Sequence, residues 1–277
     1  MDKKQYIEKT DEAWNIVHAK LERDGLIEKQ HFHYAGYTFL KWSVVSAAVL
    51  ACAILSVVYL TRGMREPQML SQSNDGINST LVKTLEDGSV VYLEGTASIR
   101  YPVHFLPNKR KVILQGNATF DVAKNKACPF VIDTKYVTVE VVGTSFNIRN
   151  DDKTHFELSV TRGIVKVKDK RTSSEVSVRT GETVIVVSHG LQLRQTGTAV
   201  PVDRYKNYMR FKDETLANIL RVMNMKSTNV KLQTSHELAS RRLTVSFSND
   251  SPEMVAVLIS EALNVSYIVN GKVITIE

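Results

Sequence analysis

Between Trp42 and Leu60 the chain runs for 19 residues without a charge. A helix of that length rises ~28 Å at 1.5 Å per residue, close to the ~30 Å hydrocarbon core of a bilayer. Nine of the 19 are Val, Leu or Ile, each favouring insertion by roughly 0.3–0.6 kcal/mol. Lys41 stands at one edge, where its stem can reach the headgroups. Tyr37, Phe39 and Trp42 at one end and Tyr59 at the other fit interfacial anchors. The run predicts one membrane-spanning helix over 42–60, dividing the chain into a short segment 1–41 and a large soluble region. No small-x-small cleavage site follows it and 41 residues precede it, which argues against a cleaved signal peptide.

Charge is placed unevenly around that helix. Residues 1–41 carry seven Lys/Arg and seven Asp/Glu, whereas residues 61–277 carry 29 basic and 22 acidic residues, so the net +7 lies beyond it. The excess is dispersed, without a basic stripe interleaved with aromatics, so no nucleic-acid partner is expected. Close to the helix, Arg23, Lys29 and Lys41 precede it and Arg62 and Arg65 follow, a slight tilt toward an N-terminus inside.

Residues 2–24 read as an amphipathic helix, with Tyr6, Ala13, Trp14, Val17 and Leu21 near three-to-four-residue spacing and Asp24-Gly25 as a stop. Such a helix cannot bury its own apolar face, and its balanced charge suits a protein partner better than a lipid surface. Residues 61–80, rich in Ser, Asn and Gln, read as a linker. From 81 to 193 the pattern becomes short alternating runs rich in β-branched and aromatic residues. They are Val82–Leu85, Val90–Leu93, Val112–Leu114, Phe130–Ile132, Val137–Val142, Phe156–Val160, Ile164–Val167 and Thr183–Val187. Turn signals at Asp87-Gly88, Pro107-Asn108, Arg162-Gly163 and Thr180-Gly181 separate them. This predicts an all-β domain: a sandwich, barrel or solenoid.

A second linker over 194–206 precedes alternating strands and helices across 207–277. Tyr208–Phe211, Val230–Leu232, Leu243–Phe247, Val265–Val269 and Val273–Ile276 read as strands, the last two joined through Asn270-Gly271. Asp213 is the expected cap of a helix burying Leu216, Ile219, Leu220 and Met223, and Ser251-Pro252 opens another burying Val255, Leu258, Ile259 and Ala262. The order, βαβ then βαββ, predicts a small α+β domain.

No catalytic constellation stands out. There is no Gly-x-Gly-x-x-Gly, Walker loop, His-Glu-x-x-His or Cys-x-x-Cys, and Ser145 lacks a Gly-x-Ser-x-Gly elbow. Cys52 and Cys128 lie in different regions and are not expected to pair. The chain reads as a non-enzyme without cofactor or metal.

The β-region carries a recognisable pattern. Leu85, Asp87-Gly88-Ser89, Val91, Leu93, Ser98 and Tyr101-Pro102 open it; Val112, Leu114, Gly116, Ala118, Phe120-Asp121-Val122 and Pro129-Phe130 continue it. Val142-Gly143-Thr144, Phe146-Asn147, Gly163, Val165 and Gly181-Glu182 complete it. In that order these residues resemble the ferric-citrate-regulator (FecR) domain, with Asn117 and Thr119 standing where Glu and Phe are usual. Residues 207–277 are similar to the partner domain of Bacteroidetes FecR proteins, akin to the short signalling (STN-like) domain of TonB-dependent receptors and secretins.

The resemblance implies a single-pass inner-membrane anti-sigma factor with a solenoid-like FecR domain. Its N-terminus would be cytoplasmic and its C-terminal domains periplasmic, with lipid around 42–60. A TonB-dependent outer-membrane receptor would touch the C-terminal domain with its signalling domain, for which Tyr208, Arg210, Phe211, Leu243, Val245 and Phe247 are the candidate residues. An extracytoplasmic-function (ECF) sigma factor would bind the N-terminal segment, with Trp14, Val17 and Leu21 as its face. Family members usually carry a longer helical bundle there. The alternative reading is an envelope-anchored binding or scaffolding module without sigma control.

Overall fold

The structure is a computed structural model that describes residues 3–27, 47–56, 68–76, 79–151, 155–196, 207–227 and 229–277. It falls into two compact units, residues 1–66 and 67–277. In the first, helix α1 (Lys3–Arg23) covers the amphipathic segment. It ends where the sequence places its stop. Gly25 sits at φ 69°, the Leu26 amide bonds back to the Leu21 carbonyl at 3.0 Å and the Gly25 amide to Glu22 at 3.4 Å. That is a Schellman closure, which satisfies carbonyls left over at the helix end.

The expected membrane-spanning helix is not found. Residues 42–46 and 57–60 of that run lie outside the described residues, and the described part, 47–56, is helical and exposed along its length. Among the described residues no helix is long and apolar enough to cross a membrane. A charge-free run of the right length is necessary for a span and not sufficient for one, so the single-pass architecture is withdrawn.

The second unit is built around a long bent hairpin, β3 (Val90–Pro102) and β4 (Arg110–Asp121). Each of its halves has different neighbours. The first half of β3 pairs with β2 (Thr80–Thr84) and the second with β1 (Met69–Ser73), a strand inside the expected linker. The first half of β4 pairs in parallel with β5 (Phe130–Asp133), leading on to β6 (Val137–Val141), β9 (Ile164–Asp169) and β10 (Glu175–Arg179). The second half pairs with β7 (Ser145–Asp151), leading on to β8 (His155–Arg162), β11 (Glu182–Val187) and β12 (Gly190–Gln195).

The corner between the halves is set by local chemistry. The β3–β4 register shifts between Glu94 and Ser98, with Gly95 at φ 58° and Gly116 opposite at φ 82°. A Cβ on Gly116 would stand 2.8 Å from the Ala97 Cα. The extra residues and the left-handed glycines let both strands bend from one arm of the sheet to the other. The two arms close on one core: Phe120 of the hairpin stacks on Phe146 of β7 at 5.4 Å and meets Phe130 of β5 edge-on at 6.4 Å.

The domain is not a solenoid. Within 81–193 every strand pair except β4·β5 is antiparallel. The physical reason is the connection length. Turns as short as Asp87-Gly88 return the chain beside the strand it has just left, which forces antiparallel pairing, whereas stacked solenoid rungs need longer returns.

The C-terminal elements extend this same sheet. Strand β13 (Met209–Thr215) pairs in parallel with β2 and antiparallel with β15 (Arg242–Phe247). Helices α2 (Leu216–Lys226), α3 (His236–Ala239) and α4 (Pro252–Leu263) and a small sheet of β14 (Lys231–Thr234), β17 (Val273–Ile276) and β16 (Tyr267–Asn270) complete the unit. Period-two alternation explains the double burial. Leu81, Val91 and Leu93 enter the core between the arms, while Val82, Val90 and Tyr92 enter a second core with Leu216, Ile219, Val255 and Ile259 of α2 and α4.

Local differences are small and have causes. The cap of α2 is Thr215, whose side chain accepts from the Asn218 amide, rather than Asp213, which sits at φ 48° in a bulge of β13. Ser251 caps α4 with Pro252 in its first turn. The last hairpin turns on Gly271 and Lys272, with Asn270 paired to Val273. Asn224 of α2 closes one edge of β14 by donating to the Leu232 carbonyl at 2.7 Å and accepting from its amide at 2.8 Å.

Candidate functional site

The site that stands out is the open end of the main sheet. Strand β15 terminates it on one side, pairing with β13 and, among the described strands, with nothing beyond. Its inward side chains, Leu243, Val245 and Phe247, pack on the second core, while Arg242, Thr244 and Ser246 are exposed. The strand therefore presents a row of backbone donors and acceptors outward with its apolar residues already used. This is the arrangement that accepts an added strand.

Ion pairs tie this edge to the β-region. Lys83 meets Glu214 at 2.9 Å with both side chains largely buried (13% and 3% exposed), and Glu214 also takes the Asn218 side-chain amide at 2.9 Å. Arg210 meets Asp75 at 2.7 Å. Across the β13 bulge Arg242 grips Asp213, Nε to Oδ1 at 2.6 Å and Nη2 to Oδ2 at 3.0 Å, and also donates to the Asp213 carbonyl. The Arg242 guanidinium holds the Asp213 carboxyl below its ordinary value, and Asp213 in turn raises Arg242. Burial, and secondarily the Glu214 charge, pushes the Tyr101 hydroxyl up. These groups and β1 line an open cleft of about 400 Å³, with Leu70–Ser73 on one wall and Lys83, Tyr101, Lys212, Asp213 and Arg242 on the other.

Of the six residues expected to meet a receptor domain, all lie on or beside β13 and β15, but they divide in two. Phe211 and Phe247 are buried, their rings edge-to-face at 6.0 Å, and Leu243 and Val245 are half-buried against the same core. Tyr208 is exposed and Arg210 half-buried. On α1, Trp14 and Val17 are exposed (68% and 44%) and Leu21 is half-buried. Sequence reasoning missed the Asp213–Arg242 and Lys83–Glu214 pairs, whose partners are 29 and 131 residues apart. It also missed the exposure of Tyr267, Ile268 and Val269 on edge strand β16. An uninterrupted apolar run resembles a buried strand in sequence, so no local signal separates the two.

Residues 76–166, which hold the corner and most of the first core, match the model of the FecR protein family. That segment is similar to the FecR domain. Two crystal structures of a candidate anti-sigma factor from Parabacteroides distasonis ATCC 8503 are similar to it. One, at 2.50 Å resolution, is 22% identical, covering 76% of this chain and 98% of that one with a TM-score of 0.47. The other, at 1.65 Å, is also 22% identical and covers 75% and 98% with a TM-score of 0.46. Likeness at this level bears on neither chain's activity. No curated protein matches.

Proposed function

We propose that this chain is a non-enzymatic regulator of transcription, an anti-sigma factor that relays the state of an outer-membrane receptor to an ECF sigma factor. The reading rests first on the FecR-family match at 76–166. The observation that carries the receptor side is the edge of β15: among the described strands its neighbour β13 is bonded on both sides while β15 is bonded on one. The signalling domain of a TonB-dependent receptor adds a strand there, with Arg242, Thr244 and Ser246 beside it and Tyr208 and Arg210 at the rim. On the sigma side, α1 offers Trp14 and Val17, an exposed apolar face that a partner would cover.

Two measurements on the full chain decide the rest. Ser246→Cys, at an exposed position of β15, should cross-link to the purified signalling domain of the receptor encoded nearby, while Lys272→Cys should not. Equal or absent cross-linking at both positions sinks the edge assignment. Co-purification with the neighbouring sigma factor should be lost in Trp14→Ala. Retention of the complex in that variant, or no complex with the unaltered chain, removes sigma control and leaves a scaffolding module.

A further inference from the structure

Strand β16 ends the small sheet, bonded to β17 on one side and, among the described strands, to nothing on the other. Which of its backbone groups face outward follows from the pairing. Ser266 and Glu277 exchange both bonds, amide to carbonyl at 2.9 and 3.0 Å. In an antiparallel ladder such bonded pairs alternate with unbonded ones, so Ile268 and Asn270 also turn their amides and carbonyls toward β17. Tyr267 and Val269 turn theirs away from it. The outer edge therefore offers two N–H and two C=O groups, all from these two residues.

Their side chains are equally unfinished. Tyr267 and Val269 lie opposite Ile276 and Ile274, on the face that builds the second core. Ile276 and Ile274 are 0% and 1% exposed, whereas Tyr267 and Val269 are 41% and 55% exposed. The apolar face overhangs the core at this edge. Ile268, on the opposite face beside Thr275, is 45% exposed. No charge occurs from Val265 to Gly271. The other edge strands are guarded. Strand β10 carries Glu175 and Arg179, β12 carries Arg194 and β15 carries Arg242. Asn224 closes β14, and β1 faces Lys212 and Arg242 across the cleft beside it. Charge is a common device that keeps an edge from pairing, and β16 lacks it.

We propose that β16 pairs with β16 of a second copy of this chain, antiparallel about a two-fold axis at Ile268. Side chains alternate between faces, so a two-fold perpendicular to the sheet must centre on a residue. Centred on Tyr267, it would set Val269 against Val265, whose amide is taken by the Ser260 carbonyl. Centred on Val269, it would set Tyr267 against Gly271 in the turn. Centred on Ile268, it uses all four outward groups. Tyr267 then faces Val269 of the second copy in two bonded pairs, an aromatic with a β-branched residue, and the two Ile268 side chains meet at the axis. For a chain of net charge +7, an uncharged strip lets two copies meet without like-charge repulsion. A strip this short falls below the ~1,200 Å² of a standard interface, so the dimer is weak and forms as concentration rises. This pairing is independent of the receptor edge at β15 and stands or falls without it.

Disulfide trapping in the full chain tests the register, with Cys52→Ser removing the exposed native thiol and Cys128 buried. Under mild oxidation Ile268→Cys should form a covalent dimer, because the axis sets the two side chains face to face. Thr275→Cys, one strand further in on the same face, should not. Charge at the axis gives a second reading by sedimentation equilibrium across a concentration series. Ile268→Lys and Ile268→Glu, at an exposed position, should each weaken self-association about tenfold or more, since each sets like charges opposite one another. Mixing the two variants should restore it. Equal or absent trapping at the two cysteine positions overturns the proposal. So does a chain that stays monomeric at every concentration, self-association that Ile268→Lys leaves unchanged, or a mixture no more associated than its parts.

Discussion

Helices α1 and α2 have the same apolar spacing and opposite fates. On α2, Leu216, Ile219, Leu220, Val222 and Met223 are all buried, none more than 4% exposed. On α1, Trp14, Ile16 and Val17 are 68%, 68% and 44% exposed. Helix α2 has a sheet beneath it, and the described residues give α1 nothing comparable. An isolated helix of this length is marginal in water, because its stability comes mostly from packing its apolar face. The contrast separates a helix whose apolar face completes a core from one whose apolar face stays exposed.

Four substitutions press on this contrast. The largest effect is expected where β13, leading into α2, meets the β-region through charge. Glu214→Ala leaves Lys83 buried without its partner and should destabilise the 67–277 unit by about 3–5 kcal/mol, read from denaturant midpoints of the full chain. A change below 1 kcal/mol would mean the pair does not clamp the seam. Next, Ile219→Ala removes a fully buried side chain under α2 and should cost roughly 2–5 kcal/mol by the same measurement. Thr215→Ala, which deletes the α2 cap, should cost about 1 kcal/mol. Trp14→Ala should leave that unfolding transition unmoved. Under the proposed function its effect falls on sigma-factor capture, and a shifted transition would show that α1 packs on the folded unit after all.

The Gly116 corner makes a different point. The sequence places a strand over Val112–Leu114, ending two residues before Gly116, which sits at φ 82°. In the structure β4 continues to Asp121, because the bend is absorbed by the β3 bulge opposite. The same holds for β1, whose Ser- and Gln-rich composition reads as linker and whose pairing with Ser98–Pro102 makes it a strand. Propensity is a weak prior at a sheet edge, where the partner strand decides.

What the sequence determined by itself is what depends on neighbours along the chain. The stop at Gly25, the Ser251-Pro252 start of α4, the period-two alternation of Val90–Leu93 and the ordered FecR-like residues from Leu85 to Val165 were all legible, because caps, turns and alternation act over a few residues. The tertiary structure alone decided which face each alternation serves, for both faces of β3 are apolar and each has its own core. It decided that Phe211 and Phe247 are core while β15 remains an edge. It also showed that among the described residues the uncharged run yields no membrane-length helix. Those outcomes turn on contacts between residues far apart in the chain, such as Lys83 with Glu214 or Gly88 with Arg221, and no local pattern encodes which distant residue will arrive.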